Sequence, residues 1–432
     1  MGSIKKKKEL EAAGAILPKR AVERALKTEI LPWLKRDEII IITGARQTGK
    51  SVLLSQLIHY HLLPWTKNVH YFNLDIPGHF EFINNQDNLI ALATKAGARS
   101  FVIIDEIQRL KEPGLFLKGI YDLHLPLKLI VSGSSSLEIK SKVHEALTGR
   151  KVIFHLVPFN IKELAGALFP KNSFNEIIKN KAVLNVVLDH YFTFGSYPAV
   201  AMAKGHKLKH ALLKEIFHSY MEKDIKSFLK IENETAFRNL IKLLASQIGN
   251  LINKDELSNS LGIHKNTLDH YLWYLEETFI LDFARPYYKN PRKELLKSPK
   301  VYFLDLGIRN FAVSSFGEFE FRPDKGAIFE NFAYLGLKEK IDPLTPINFW
   351  RTKAGAEVDF VISSKLKPVP FEAKAVSLKN YKVGKSFRSF LRSYQPDKAY
   401  FLNLSLNGKR KIDGSEVAFL TPSEFIKIKQ ID

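Results

Sequence analysis

Two hydrophobic rhythms divide the chain. Residues 37–62 read DEIIIITGARQTGKSVLLSQLIHYHL, in which a run of isoleucines predicts a strand buried on both faces, and the apolar spacing after Lys50 predicts an amphipathic helix. FVIIDEIQRL (101–110), LKLIVSGSSSLEI (127–139) and the strand inside HEALTGRKVIFHLVPFNIKEL (144–164) repeat the buried-strand pattern. Strands of this kind separated by helices predict an α/β domain built on a parallel sheet over residues 1–160. From 161 to 253 helical spacing dominates, as in HALLKEIFHSYMEKDIKSFL and AFRNLIKLLASQIGNLI, with GSYPAV at 195–200 as an interrupting turn. This stretch reads as a lid and linker. Over 254–310 a short helix, a turn at Gly262 and a second helix over 265–277 have the helix-turn-helix layout. Two strands follow, around a tip carrying Lys289, Arg292, Lys293 and Lys297, which predicts a winged helix. Residues 311–432 return to an α/β pattern: a helix over DKGAIFENFAYLGLKEKI, two strands in NFWRTKAGAEVDFVIS and a third in PVPFEAKAV.

Charge sharpens this picture. The 432 residues hold 65 Lys and Arg against 45 Asp and Glu, a formal net charge of +20, which favours anionic partners such as nucleic acid. No cysteine is present, which excludes disulfides and thiolate metal sites and fits a cytoplasmic protein. No apolar run approaches the roughly 18 residues of a membrane span, and the lysines of MGSIKKKKEL are not followed by the apolar core of a signal peptide.

GARQTGKS satisfies G-x-x-x-x-G-K-[ST] at every fixed position. The backbone of Gly44, Ala45, Arg46, Gln47, Thr48 and Gly49 can wrap phosphates at a helix N-terminus, Lys50 can reach the β and γ oxygens, and Ser51 can place its hydroxyl on Mg²⁺. The second strand delivers two acids to the same sheet edge: Asp105, to hold Mg²⁺ through water, and Glu106, to orient or deprotonate the attacking water. Ser134 suits either a γ-phosphate sensor or a serine-rich turn. Arg150 suits either a finger for a neighbouring subunit's nucleotide or a solvated side chain.

In the C-terminal part, strand alternation places Glu357 and Asp359 on one face and Val358, Phe360 and Ile362 on the other. In the next strand Glu372 and Lys374 share a face, opposite Val369, Phe371, Ala373 and Ala375. Two carboxylates from adjacent strands with a lysine beside them form the grouping a Mg²⁺ nuclease uses, with Asp359 and Glu372 as metal ligands and Lys374 positioning the water. After them, SLKNYKVGKSFRSFLRSY reads as a helix with Lys382, Lys385, Arg388 and Arg392 on one side and Val383, Phe387, Phe390, Leu391 and Tyr394 on the other. In the helix-turn-helix, His264, Lys265, Asn266 and Thr267 would face a DNA groove, whereas Asp269, Glu276 and Glu277 oppose one.

GARQTGKS, FVIIDEIQ, VSGSSS and TGRKVIFHLVPFNIKEL together resemble the bacterial and archaeal AAA-type ATPases that carry a C-terminal domain grouped with PD-(D/E)XK nucleases. The resemblance implies an AAA+ module using ATP and Mg²⁺, allows a homo-oligomer, and assigns Glu330 as the helical acid beside Asp359, Glu372 and Lys374. This chain has Ser51 where the family usually has Thr, and no Pro before Asp359. Two functions follow. One is an ATPase coupled to a domain that binds and cuts DNA; the other is an ATP-driven switch whose C-terminal domain binds nucleic acid or protein without cutting.

Overall fold

A computed structural model describes residues 2–95, 98–133, 147–222, 233–288, 297–363 and 367–431. Ser134 and the tip residues Lys289, Arg292 and Lys293 lie outside them. Among the described residues, no helix is long and apolar enough to cross a membrane.

The first sheet contains β1 (Ile39–Thr43), β2 (Val69–Asn73), β3 (Ser100–Asp105), β4 (Leu127–Gly133) and β5 (Lys151–His155), in the order β2-β3-β4-β1-β5 with all pairs parallel. Alternation along β1 explains its unbroken isoleucines. Ile40 and Ile42 join Leu53, Leu54 and Leu57 of the following helix on one face, while Ile39 and Ile41 join Ile83, Leu117 and Ile120 on the other.

The second sheet runs β12-β13-β11-β10-β9-β8-β6-β7. Its strands are β6 (Leu281–Pro286), β7 (Lys300–Phe303), β8 (Ile347–Arg351), β9 (Glu357–Ser363), β10 (Pro368–Ala373), β11 (Lys398–Leu402), β12 (Gly408–Ile412) and β13 (Ser415–Leu420). The two helices of the helix-turn-helix form over Lys254–Leu261 and Lys265–Glu277, with Gly262 in the left-handed cap. The strands read as a wing do pair antiparallel, but β6 also pairs with β8 through Arg285↔Asn348 and Pro286↔Phe349. They are therefore the edge of the C-terminal sheet, and a boundary at 310/311 cuts through it. A hairpin pattern fixes how two strands pair with each other and leaves the outer edge of each unspecified.

One face assignment changes. Trp350 faces Val358 and Asn348 faces Val361, so three steps on β9 match two on β8 and the extra residue forms a bulge. Val358 and Val361 pack with Phe387 and Phe390 on one side, whereas Phe360 and Ile362 pack with Phe332 and Phe371 on the other. The bulge falls at Asp359, where strict alternation fails.

The GSYPAV turn is a joint. The Ser196 N–H and hydroxyl donate to Asp305 Oδ2 at 2.7 and 3.4 Å, and Asp305 Oδ1 caps the helix Leu306–Ala312 by accepting from Ile308 N at 2.9 Å. Burial pushes the Asp305 carboxyl up to about 6 despite these donors. Native Asp305 thus holds its proton where the unfolded chain, at 3.8, has lost it. Its contribution to stability is full below about pH 4 and is lost as pH rises through about 6, a change of about 3 kcal/mol. Thermal unfolding of Asp305→Asn from pH 4 to 7 should lack that decline; an unchanged slope relative to wild type would rule out this titration.

Candidate nucleotide site and carboxylate cluster

β1 ends at Thr43 and is followed by Gly44, where a Cβ would lie 2.1 Å from the Leu156 carbonyl oxygen, so only glycine lets the loop leave the sheet here. Gly49, at φ 95°, turns the chain into the helix Lys50–Leu57. The loop between them is self-braced: Thr48 Oγ1 donates to the Ala45 carbonyl, and Lys50 Nζ donates to the carbonyls of Gly44 and Ala45, each at 2.9 Å. Lys50 is thus folded back over the cradle, and the Ser51 side chain is exposed at the helix N-terminus.

Behind the loop stands Arg24, 4% exposed. Its Nη1 donates to the Thr48 carbonyl at 2.6 Å, its Nη2 to the Val157 carbonyl at 2.5 Å, and its Nε lies 3.2 Å from Glu163 Oε1. Glu163 in turn accepts from Ala25 N at 2.6 Å and from Asn160 N at 3.0 Å. Nothing in the spacing of AVERALK singles out Arg24, whose partners lie up to 139 positions away.

Asp105 and Glu106 reach the same edge in different states. Asp105 is fully buried, with Oδ2 accepting from the Tyr71 hydroxyl at 3.0 Å and Oδ1 accepting from the Ser132 hydroxyl. Each carboxylate oxygen can accept two hydrogen bonds, so Oδ2 can keep the Tyr71 bond and still accept from a water. Glu106 is half-buried in the left-handed region at φ 60°, a strained placement for a non-glycine residue. Burial, then the adjacent Asp105, push its carboxyl up, and Lys50 opposes the shift. Gln108 donates to its Oε2.

Arg150 precedes β5 at the end of the sheet away from the cradle, since Ile39 pairs with Lys151 and Thr43 with His155. Its Nε is 2.8 Å from Asp122 Oδ1, so it forms no part of this chain's own cradle.

In the second sheet the predicted acids do converge, together with residues the sequence reading missed. Lys374 Nζ lies 2.8 Å from Asp359 Oδ2 and 3.0 Å from Glu372 Oε1, and Ala373 N donates to Asp359 Oδ2 at 2.9 Å. Glu330, on the helix Lys325–Lys338, accepts from the Tyr302 hydroxyl at 2.7 Å and from Lys300 Nζ at 3.1 Å. Lys300 also lies 2.6 Å from Glu357 Oε1, whose other oxygen is 3.0 Å from Arg351. Burial and then the Asp359 charge push both Glu330 and Glu372 up. Among the described residues no group of three or more acids and histidines is arranged to hold a metal ion, and Lys300 and Lys374 each pair with two of the carboxylates. Asp359 and Glu372, read as metal ligands, are paired here by Lys374, while Lys300 sits on Glu330 and Glu357. A lysine opening the apolar strand KVYF was the signal available for Lys300.

The basic helix forms over Lys385–Tyr394 and seats Phe387, Phe390 and Leu391 on Val358 and Val361. Arg388 Nε and Arg392 Nε lie 2.8 and 3.2 Å from Asp413, whose carboxyl is held down at about 2 by Arg388 and then Arg392. Exposed Lys409, Arg410 and Lys411 of β12 adjoin it, with Arg410 stacked 4.3 Å from the Tyr381 ring. In the helix-turn-helix, by contrast, Lys254 pairs with Asp269 at 2.6 Å and Lys265 with Asp255.

The parallel sheet, the glycine cradle and the paired acids define a P-loop nucleotide-binding domain, and residues 36–165 match the AAA domain family. This part of the chain is similar to AAA domains, which supports ATP binding. Residues 186–318 and 325–422 match two families described as domains of unknown function, DUF8612 and DUF4143. Uncharacterized protein Rv2008c of Mycobacterium tuberculosis is 24% identical over 365 residues, 84% of this chain and 75% of its own. Uncharacterized protein MJ1637 of Methanocaldococcus jannaschii is 26% identical over 423 residues, 90% and 85% of the two chains. Among solved structures, the ADP form of the Aeropyrum pernix ORC2 protein aligns at 12% identity and a TM-score of 0.34, over 69% of this chain and 94% of its own. A STAND protein with a tetratricopeptide repeat sensor from Pyrococcus horikoshii aligns at 12% identity and a TM-score of 0.30; the match spans 75% of this chain and 46% of that one.

Proposed function

We propose that the chain is an ATP-hydrolysing AAA+ protein whose PD-(D/E)XK-like C-terminal domain binds DNA without cutting it. The observation carrying the ATPase half is the cradle Gly44–Ser51 with Glu106 close enough to Lys50 to feel its charge. On nucleotide binding, Lys50 exchanges the Gly44 and Ala45 carbonyls for β- and γ-phosphate oxygens, and the loop N–H groups and helix N-terminus take the remaining charge. Ser51, and Asp105 through water, would hold Mg²⁺, which neutralises phosphate charge when bound. Glu106 orients and deprotonates the attacking water. Ser134 as a γ-phosphate sensor belongs to the same proposal, and so does Arg150 as a finger, which fits only in trans within a homo-oligomer.

For the C-terminal half, the additional Lys300 ammonium on Glu330 and Glu357 favours binding over cutting. The basic helix, the segment before it and β12 expose Lys382, Lys385, Arg410 and Lys411 to phosphates. Incubation of single- and double-stranded DNA with Mg²⁺ or Mn²⁺ should leave both intact; cleavage lost in Asp359→Ala or Glu372→Ala would restore the nuclease reading. Affinity should fall steeply with salt, and Lys382→Glu with Lys385→Glu should lower the salt slope by about 2. Asp413→Asn, which frees Arg388 and Arg392, should tighten binding. A salt-insensitive affinity, or one unmoved by all three substitutions, would remove this surface from the proposal.

A further inference from the structure

We infer that the Lys300 ammonium is the resident cation of the C-terminal carboxylate cluster, seated on Glu330 and Glu357 beside the Asp359–Glu372 pair, where its charge opposes entry of a divalent ion. The inference rests on the reading of this domain as a PD-(D/E)XK-like fold and assigns its central charge to the chain itself.

Two lysines touch the cluster, and they differ in kind. Lys374 is 43% exposed and projects from the end of β10, so it can swing away from Asp359 and Glu372 and leave them to another cation. Lys300 is 2% exposed. Its ammonium bridges Glu330 at 3.1 Å and Glu357 at 2.6 Å, and lies 5.5 Å from the centre of the Phe349 ring. Its backbone is held from both sides. β6 pairs with β7 through Ala284↔Lys300 on one side. On the other, Leu251 bridges Lys300, Gly249 N donates to the Val301 carbonyl and Ile252 N to the Pro299 carbonyl, both at 2.9 Å.

That second segment also roofs the cluster. A Cβ at Gly249 would come within 3.2 Å of Glu330 Oε1, and Tyr302 closes the same oxygen from below with its hydroxyl. Removing a buried ammonium that serves two half-buried carboxylates is costly, and a divalent ion entering beside it would face like charge. Glu330 and Glu357 around Lys300, and Asp359 and Glu372 around Lys374, thus form two adjoining sets, the first of which is tied to the middle helices through Gly249 and Leu251.

The test is a Mn²⁺ titration of nucleotide-free, full-length protein, with free ion read by electron paramagnetic resonance. Wild type should show no saturable site that Asp359→Asn removes. Lys300→Met should gain one such site, binding at least tenfold tighter than wild type and lost again on adding Asp359→Asn. Mn²⁺ should raise the melting temperature of Lys300→Met and leave that of wild type unchanged. An Asp359-dependent Mn²⁺ site in wild type overturns the inference, as does a folded Lys300→Met that gains none. The wild-type arm needs no variant at position 300 to fold. Loss of DNA binding would sink the proposed DNA surface and leave the Mn²⁺ result intact, so the two failures are separable.

Discussion

Lys50→Ala is expected to lower steady-state ATP hydrolysis by about 10²–10³-fold, the scale seen when a preorganised charge-stabilising donor is removed from a reaction site. The substitution should leave the fold intact, because the two carbonyls Lys50 now serves belong to a loop already braced by Thr48 and, from behind, by Arg24. Glu106→Gln should separate binding from turnover. The amide keeps the side chain's shape but cannot take a proton from water, so ATP should bind with near-wild-type affinity and hydrolyse slowly. Glu106 also sets a pH signature. Its carboxyl is raised, so the basic form is present above that raised value and wild-type activity should fall as pH drops through it, earlier than an ordinary glutamate would cause. In Glu106→Gln this limb should disappear. Normal hydrolysis in both variants, measured by phosphate release, would overturn the assignment of this cradle.

Why the cradle was legible and the cluster only partly so follows from where their information lies. Gly44 to Ser51 is one contiguous stretch whose glycines, lysine and hydroxyl act through local backbone geometry, so reading order and spatial order coincide. Asp105 and Glu106 end a buried strand, and parallel sheets bring strand ends together. Asp359, Glu372 and Lys374 were readable by the same period-2 rule, since β9 and β10 are neighbours with Phe360 opposite Phe371. The bulge at Asp359 was not, because an extra residue on one strand shows only against its partner. Lys300 showed only as a lysine opening an apolar strand, for a related reason: β7 looks like half of a free hairpin, and only the β6–β8 pairing carries it to the acids. The helical acid Glu330 required the family resemblance, because helix Lys325–Lys338 offers no internal sign of which residue faces the sheet edge.

Arg24→Ala is expected to destabilise the ATPase domain by about 3–5 kcal/mol, the cost of removing one partner from a buried ion pair. Arg24 and Glu163 are 4% and 6% exposed, and the substitution strands the Glu163 charge while leaving the Thr48 and Val157 carbonyls without their donor. Burial pulls the Arg24 guanidinium down, with Glu163 the main opposing influence, so Glu163 supplies the countercharge for a cation held out of water. Adding Glu163→Gln should recover part of the loss, since a neutral amide can stay buried and still accept from Asn160 N. Nucleotide affinity should not recover with it. The Thr48 carbonyl is anchored by Arg24 alone among these groups, and a loop free to shift by even 1 Å presents its N–H groups poorly to phosphate. Thermal unfolding and ATP titration of the two single variants and the double variant therefore give different patterns: stability partly rescued, affinity weak in both variants lacking Arg24. Arg24→Ala melting with wild type would show that the pair contributes nothing, and affinity returning together with stability in the double variant would show that Arg24 holds the fold but not the phosphate loop.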